Sequence, residues 1–280
     1  MGRAIYRGAA KLLAGTGIST LPGLRTLNAL FVAGIRGKTV YVHGHRIRLD
    51  PVDSLSLSAM GSFAPAETRL VSTRVNPGAI VLDIGANIGY FTLLFARHAG
   101  PTGHVYAFEP EPVNYALLVR NVHENAYSNV TCIQAAASNA SGSVTLHLAR
   151  DNAVDHGIAP HAGAGGTIDV RAQRVDDYLS FLNHADFIKI DVRGAELHVL
   201  EGMEHLLARS PSVELLVEYW PAGLVRAGTN PQRILDWLEQ KGFRFRVCAD
   251  RGDAEPINAA AVSNRFPAES QRSVNLYVTR

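Results

Sequence analysis

Two glycines four residues apart close a short apolar run. Val81-Leu82-Asp83-Ile84-Gly85-Ala86-Asn87-Ile88-Gly89 reads as a strand, a tight turn and the start of a helix. Gly85 and Gly89 let the backbone come close to a ligand, which a side chain would prevent. The first turn of the helix offers N–H groups and partial positive charge, a seat for a carboxylate or phosphate. The next strand, Val105-Tyr106-Ala107-Phe108, runs into Glu109, 20 residues beyond Gly89. An acid there accepts hydrogen bonds from both hydroxyls of an adenosine ribose, and ligands of open α/β sheets sit at these carboxyl ends. A dinucleotide asks for G-x-G-x-x-G; Gly85-x-Asn87-x-Gly89 has no third glycine, which disfavours NAD. A methionine carboxylate suits the turn, and the acidic pair Asp83 and Glu109 suits a cationic ligand. These residues point to S-adenosylmethionine as cofactor.

A second set of chemical residues lies further on. Asp191 ends a strand, Lys189 stands two residues back on the same face, Glu196 opens a helix and Glu218 ends another strand. An aliphatic hydroxyl is a poor nucleophile, so a positioned base would help it attack. Asp191 is the first candidate, with His156 and His161 from a glycine-rich loop next. Holding acceptor oxygen, methyl and sulfur in line supplies several kcal/mol, up to about 7–11 in the best cases. Glu196, in a first helical turn, also suits the helix dipole. Asp191, Glu196 and Glu218 could gather Mg²⁺, but Arg193 opposes a cation there, and no metal is expected.

These residues need a scaffold with one working edge. Strands are predicted over residues 79–84, 104–108, 130–134, 186–192, 213–220, 243–248 and 274–278. Helices are predicted over 88–98, 112–125, 195–208 and 231–241. Alternation of this kind means an α/β domain with a mostly parallel, seven-stranded sheet and helices on both faces. The last two strands have no intervening helix of any length, so one of them is antiparallel. Residues 143–148 and 168–173 alternate and form an added hairpin. Ahead of this domain (79–280) lies a β/α subregion (39–78), with a hairpin about His43-Gly44 and a helix over 65–75. Ahead of that lies a basic helical extension (1–38).

The chain has 280 residues, 47% hydrophobic and 19% charged, which is globular composition. Cys132 and Cys248 are its two cysteines, which excludes a disulfide framework and a four-cysteine zinc site and suits a reducing, cytoplasmic setting. Net charge is +2, but residues 1–50 carry eight Arg and Lys against Asp50, or +7, leaving −5 for the rest. That asymmetry suggests peripheral contact of residues 1–38 with an anionic membrane rather than nucleic-acid binding. The best N-terminal apolar run, Leu27 to Ile35, is far short of the roughly 20 residues a spanning helix needs, and no signal peptide is expected.

The motifs in order resemble the FkbM family of S-adenosylmethionine-dependent methyltransferases. The resemblance rests on Asp83-Ile84-Gly85-Ala86-Asn87-Ile88-Gly89, the Ala107-Phe108-Glu109-Pro110 turn, Asn121, Ile188-Lys189-Ile190-Asp191-Val192 and Gly194-Ala195-Glu196. It runs from about Ala79 to Trp220. It implies the class I methyltransferase (Rossmann-like) fold and O-methylation of a hydroxyl on a sugar, glycolipid or natural product. By the same match, Gly85, Ala86, Asn87 and Gly89 line the methionine part and Glu109 the ribose. Gln134 to Ala136 flank the adenine, and Glu67 is a further cofactor contact. The sequence departs from the family at Arg193, where members usually carry Glu. A nicotinamide-dependent oxidoreductase and a non-catalytic cofactor-binding protein are the alternatives, and an amine or carboxylate acceptor stays open.

Overall fold

The computed structural model describes residues 38–149, 156–160, 164–248 and 255–280. Apart from Lys38, the basic extension lies outside the described residues.

A hairpin of β1 (Thr39–Val42) and β2 (His45–Arg48) opens the chain, followed by the short α1 (Leu57–Met60) and by α2 (Pro65–Arg74). His43 and Gly44 both take positive φ, 47° and 75°, as a tight hairpin turn requires. Two βα units and a further strand follow: β3 (Ile80–Ile84) with α3 (Tyr90–Ala99), β4 (His104–Phe108) with α4 (Pro112–Glu124), then β5 (Val130–Ile133). A side sheet is made by β6 (Ala136–Ser138), β7 (Gly142–Ala149) and β8 (Ala164–Arg174), and α5 (Val175–Tyr178) leads back. Next come β9 (Phe187–Ile190), α6 (Glu196–Glu201), α7 (Glu204–Ala208), β10 (Glu214–Tyr219), α8 (Pro221–Arg226) and α9 (Pro231–Gln240). The described chain closes with β11 (Arg244–Val247), β12 (Glu255–Ile257), α10 (Ala259–Arg265) and β13 (Val274–Thr279).

The main sheet has strand order β12-β11-β13-β10-β9-β3-β4-β5. Strands β5, β4, β3, β9 and β10 are parallel neighbours, while β13 runs antiparallel to both β10 and β11. This is the class I arrangement expected, with an eighth, three-residue strand, β12, added at the edge beyond the seven. The final pair of expected strands is not joined directly: β12 and α10 intervene. Asn258 caps α10 by accepting from the Ala261 N–H at 2.8 Å, and Ala259, Val262 and Phe266 bury against the sheet.

Strand alternation divides the core in two. On one face Leu82, Ile84, Ile188, Ile190, Leu215 and Val217 meet Leu197, Leu200, Leu235 and Leu238. On the other, Val81, Phe187 and Leu216 meet Leu93 and Phe95 of α3, Val71 of α2 and Ile47 of the hairpin. The 39–78 segment therefore shares a buried core with β3 and α3. Asn121, fully buried, stitches the same junction: its side-chain oxygen accepts from Arg48 N at 2.7 Å and its amide donates to Ile88 O at 2.7 Å.

The helix expected over 195–208 is broken into α6 and α7. At Gly202 the chain passes so close to β6 that a Cβ would stand 1.9 Å from the Ser138 carbonyl oxygen. The hairpin expected at 143–148 and 168–173 forms as β7 and β8, with Thr145 opposite Asp169, and joins β6 rather than the main sheet.

Candidate active site

The carboxyl ends of β3, β4 and β9 open into a cleft. It gathers Asp83, Gly85, Ala86, Asn87, Glu109, Ala136, His156 and Asp191 from the sequence-derived candidates. Their convergence follows from parallel pairing: Asp83 lies in register with Ala107 and with Lys189, so the loops that follow all leave from one edge.

The glycine turn is shaped mainly by the protein's own backbone. Gly85 has φ 83°, and a Cβ there would stand 2.0 Å from the carbonyl oxygen of Asp191. Gly89 has φ 93°, and its Cβ would meet Leu118 Cδ1 at 2.8 Å. Close packing of the chain on itself thus demands both glycines before any ligand does. The turn's amides are also used internally. Gly85 and Ala86 donate to Phe108 O, Gly89 donates to Ala86 O, Ile88 donates to the Asn87 side chain and Asn87 donates to Glu109 Oε2. The donors this segment presents are instead those of the first turn of α3, whose Gly89 cap makes no side-chain hydrogen bond.

Glu109 is 5% exposed. Its Oε2 accepts from Asn87 N at 2.8 Å and its Oε1 from Glu111 N at 2.9 Å. Each oxygen keeps a second lone pair. Burial pushes its carboxyl up to about 7 despite those two amides. Asp83 is fully buried, with Oδ2 accepting from the Thr92 hydroxyl at 2.6 Å and Oδ1 taking no hydrogen bond. Burial raises its pKa against the pull of Lys189.

Lys189 is the buried cation of the site. Its Nζ donates to Asp191 Oδ2 at 3.0 Å and stands 5.0 Å from the Phe91 ring centroid. Burial works against its charge, but Asp191 and Asp83 hold its pKa above the ordinary value. Burial would likewise raise Asp191, yet Lys189 and Arg193 outweigh it and keep the carboxylate ionised. Behind it, burial and the charge of Asp191 push Glu218 up to about 8. Glu196 turns back on its own loop, accepting from Gly194 N at 3.0 Å and Val192 N at 3.4 Å, and burial pushes it up to about 7. Among the described residues no three His, Cys, Asp or Glu side chains come together as a metal site.

Four candidates are placed otherwise than expected. Gly89 is not among the cleft's lining residues, where Tyr90 and Phe91 stand instead. Gln134 is exposed and does not line the cleft, because β5 ends at Ile133 and it is Ala135 that turns inward. Glu67 is held away from the cleft, where its Oε1 accepts from Asn275 Nδ2 at 2.8 Å. His156 does line the cleft, but its Nδ1 accepts from Ala149 N at 3.0 Å. The neutral ring therefore carries its hydrogen on Nε2 and is a donor there, not a base. His161 lies outside the described residues.

One wall was not foreseen. Phe63, from the segment between α1 and α2, meets Tyr90 edge-on at 5.8 Å, and Tyr90 meets Phe91 at 5.2 Å. The Tyr90 hydroxyl bonds to Phe63 N and to the Thr68 hydroxyl, and Leu55 completes the wall. A lone Phe in a Gly/Ser-rich stretch carries no periodic signal that could have revealed it.

Residues 83–245 match the family model described as the methyltransferase FkbM domain. The chain belongs to the FkbM methyltransferase family. Methyltransferase sdnD of Sordaria araneosa is 30% identical over 220 residues, covering 66% of this chain and 80% of that protein. The 31-O-demethyl-FK506 methyltransferase FkbM of Streptomyces tacrolimicus is 30% identical over 162 residues, covering 46% and 61%. The hexuronic acid methyltransferase AglP of Haloferax volcanii is 23% identical over 174 residues, covering 61% and 66%. The FkbM-family chain is thus an S-adenosylmethionine-dependent methyltransferase. Its cleft fits that cofactor: a buried carboxylate with spare lone pairs at Glu109, a buried Asp83 oxygen without a partner, and an uncapped helix N-terminus share one lining. No helix among the described residues is long and apolar enough to cross a membrane.

Proposed function

We propose that this FkbM-family enzyme methylates a hydroxyl of a sugar, glycolipid or natural product. The observation that carries the reading is Asp191, 27% exposed on the floor of the cleft and held ionised by Lys189 Nζ at 3.0 Å. In the proposed mechanism Glu109 would hold the ribose of the cofactor by accepting from its hydroxyls, and the first turn of α3 would hold the methionine carboxylate. S-adenosylmethionine, when bound, supplies a methyl group on a positively charged sulfur. Asp191 accepts the hydrogen bond of the acceptor hydroxyl and aims the oxygen, an alignment that supplies several kcal/mol, up to about 7–11 in the best cases. A carboxylate of low pKa is a weak base toward an alcohol. It is strong enough for the proton of an oxygen that has just been alkylated, which is far more acidic, so Asp191 takes the proton late. Lys189 holds Asp191 in place throughout, and the Phe63–Tyr90–Phe91 wall shields one side from water.

The relatives support an oxygen acceptor, since one is named 31-O-demethyl-FK506 methyltransferase and another hexuronic acid methyltransferase, a substrate class that carries hydroxyls. The test is S-adenosylhomocysteine release across a panel of sugars, glycolipids and hydroxylated natural products, with product mass and NMR locating the methyl group. A methyl found on nitrogen or on a carboxylate oxygen overturns the reading.

A further inference from the structure

We propose that a second pocket, formed where the hairpin turn meets α2 and α3, is a binding site for a phosphate monoester. It shares no lining residue with the active-site cleft, and it would stand whichever acceptor the enzyme methylates.

His43 of the turn, Ser62 ahead of α2, Thr68 of α2, and Arg97 and His98 of α3 line this pocket. None of the described residues that line it is an acid. Residues 1–49 contain no Asp or Glu, so the chain that leads into the hairpin brings no carboxylate to it. Arg97 is the anchor. Its guanidinium lies so close against the turn that a Cβ on Gly44 would stand 2.6 Å from Nη2. It donates to the His43 carbonyl oxygen and to the Tyr127 hydroxyl. Both acceptors are neutral, so the charge is held in place without being cancelled. The carbonyls at the end of α3 are satisfied elsewhere: Ala96 O and Gly100 O accept from Asn129 Nδ2 at 2.9 and 2.8 Å, and Ala99 O accepts from Gly78 N at 2.8 Å. His43 is fixed by a left-handed backbone, φ 47°, and by edge-on contact with the Tyr90 ring at 6.2 Å.

A guanidinium offers a fork of N–H donors that matches phosphate oxygens, and charge-assisted hydrogen bonds of this kind are about twice as strong as neutral ones. Two imidazoles and the Ser62 hydroxyl line the same pocket, so its donors come from the turn, from the loop ahead of α2 and from α3. Donors from three elements suit a tetrahedral group with three free oxygens better than a flat carboxylate with two. The positive field reaches into the fold. His45, buried beneath the turn, is pushed down to about 4 by burial and then by the charges of Arg97, His43 and His98. Burial and Arg97 likewise lower His98. An anion in the pocket would relieve that repulsion. The pocket backs on the aromatic wall of the cleft, since the Thr68 hydroxyl lies 3.0 Å from the Tyr90 hydroxyl. A ligand there would sit behind that wall without entering the cleft.

The experiment is titration calorimetry of the full-length protein at fixed ionic strength, saturated with S-adenosylhomocysteine so that the cleft is filled. The probes are glycerol 3-phosphate and glycerate, two small polyols that differ in the anion they carry. Glycerol 3-phosphate should bind once per chain, with a dissociation constant of about 1 mM or tighter and about tenfold or more tighter than glycerate. Arg97→Gln should weaken it about tenfold or more, and Arg97→Lys, which keeps the charge, should weaken it less. His98→Gln, which leaves Arg97 on the turn, should weaken it too and decides the matter if Arg97→Gln does not fold. The wild-type His98 ring, followed by NMR, should titrate at higher pH once glycerol 3-phosphate is bound, because a neighbouring anion favours the protonated form. S-adenosylhomocysteine affinity should be the same in every variant, which separates this pocket from the cleft. No saturable binding, equal binding of glycerate, or wild-type affinity in the folded variants overturns the proposal. A second arm separates the sources of the phosphate, with vesicles that carry phosphatidic acid compared with vesicles that carry phosphatidylglycerol. A preference for phosphatidic acid that Arg97→Gln abolishes assigns the site to a lipid headgroup. Absence of that preference, with glycerol 3-phosphate still bound, assigns it to a soluble phosphate monoester.

Discussion

Glu109 ties cofactor binding to pH in a direction that can be worked out. Its carboxyl is pushed up to about 7 in the protein without ligand, chiefly by burial. Ribose hydroxyls donate, so they bind the ionised form and not the protonated one. S-adenosylmethionine affinity should therefore be full above pH 7 and fall as pH drops through it. For a single group of that pKa the loss between pH 8 and pH 6 is about tenfold. Stability of the unliganded fold runs the other way. A carboxyl whose folded pKa is raised contributes stability that is fully present below its unfolded value of 4.5 and is lost as pH rises through about 7. Glu109→Gln should flatten the pH dependence of binding and weaken it at pH 8 by about 1–3 kcal/mol. It should also lower the melting temperature. One of the two amides now bound by the carboxylate, from Asn87 or Glu111, would face an NH₂ group instead of an acceptor. Calorimetric binding curves from pH 5.5 to 8.5 for both proteins test this, with thermal unfolding of the unliganded forms alongside. A wild-type affinity that is flat across that range would refute the reasoning, as would a Gln variant with the wild-type slope.

Asp191→Asn should lower turnover by about 10²–10⁴-fold while calorimetry finds S-adenosylmethionine binding nearly unchanged; a substantially active variant removes Asp191 from the proton-accepting role. Lys189→Met strips the cation from between Asp83 and Asp191 and should destabilise the fold by about 3–5 kcal/mol. Whatever activity survives should have the acidic limb of its pH–rate profile moved upward, because Asp191 then titrates at higher pH. Gly85→Ala places a Cβ 2.0 Å from the Asp191 carbonyl oxygen, so it should yield misfolded protein or protein without measurable cofactor binding, read by solubility and calorimetry. If residues 1–38 contact an anionic membrane, the full-length protein should sediment with anionic vesicles and deleting 1–38 should abolish that, at about 1 kcal/mol per basic residue near the surface; equal sedimentation of both forms would leave that segment without a membrane role.

What the amino-acid sequence determined on its own was local. Asp83, Gly85, Asn87, Glu109 and Asp191 each sit at the end of a strand or in the turn after it, and parallel strands bring such ends to one edge whatever packs around them. Strand identity followed from short buried runs such as Phe187–Ile190, all four residues of which are buried. Tertiary structure decided what depends on partners distant in the chain. The family resemblance implied a cofactor contact at Glu67, but Asn275, 208 residues away, donates to its carboxylate. The glycines of the turn looked like room for a ligand, and proved to be room for the Asp191 carbonyl and for Leu118. Gly202 read as an ordinary helix residue until β6 came within contact of it. Arg193 was visible as an odd residue in its motif; only the folded chain brings it to Glu218, Trp220 and Gly157. Strand ends and turns are set by the few residues that form them, whereas which side chain wins a buried partner is settled by every element that packs there at once.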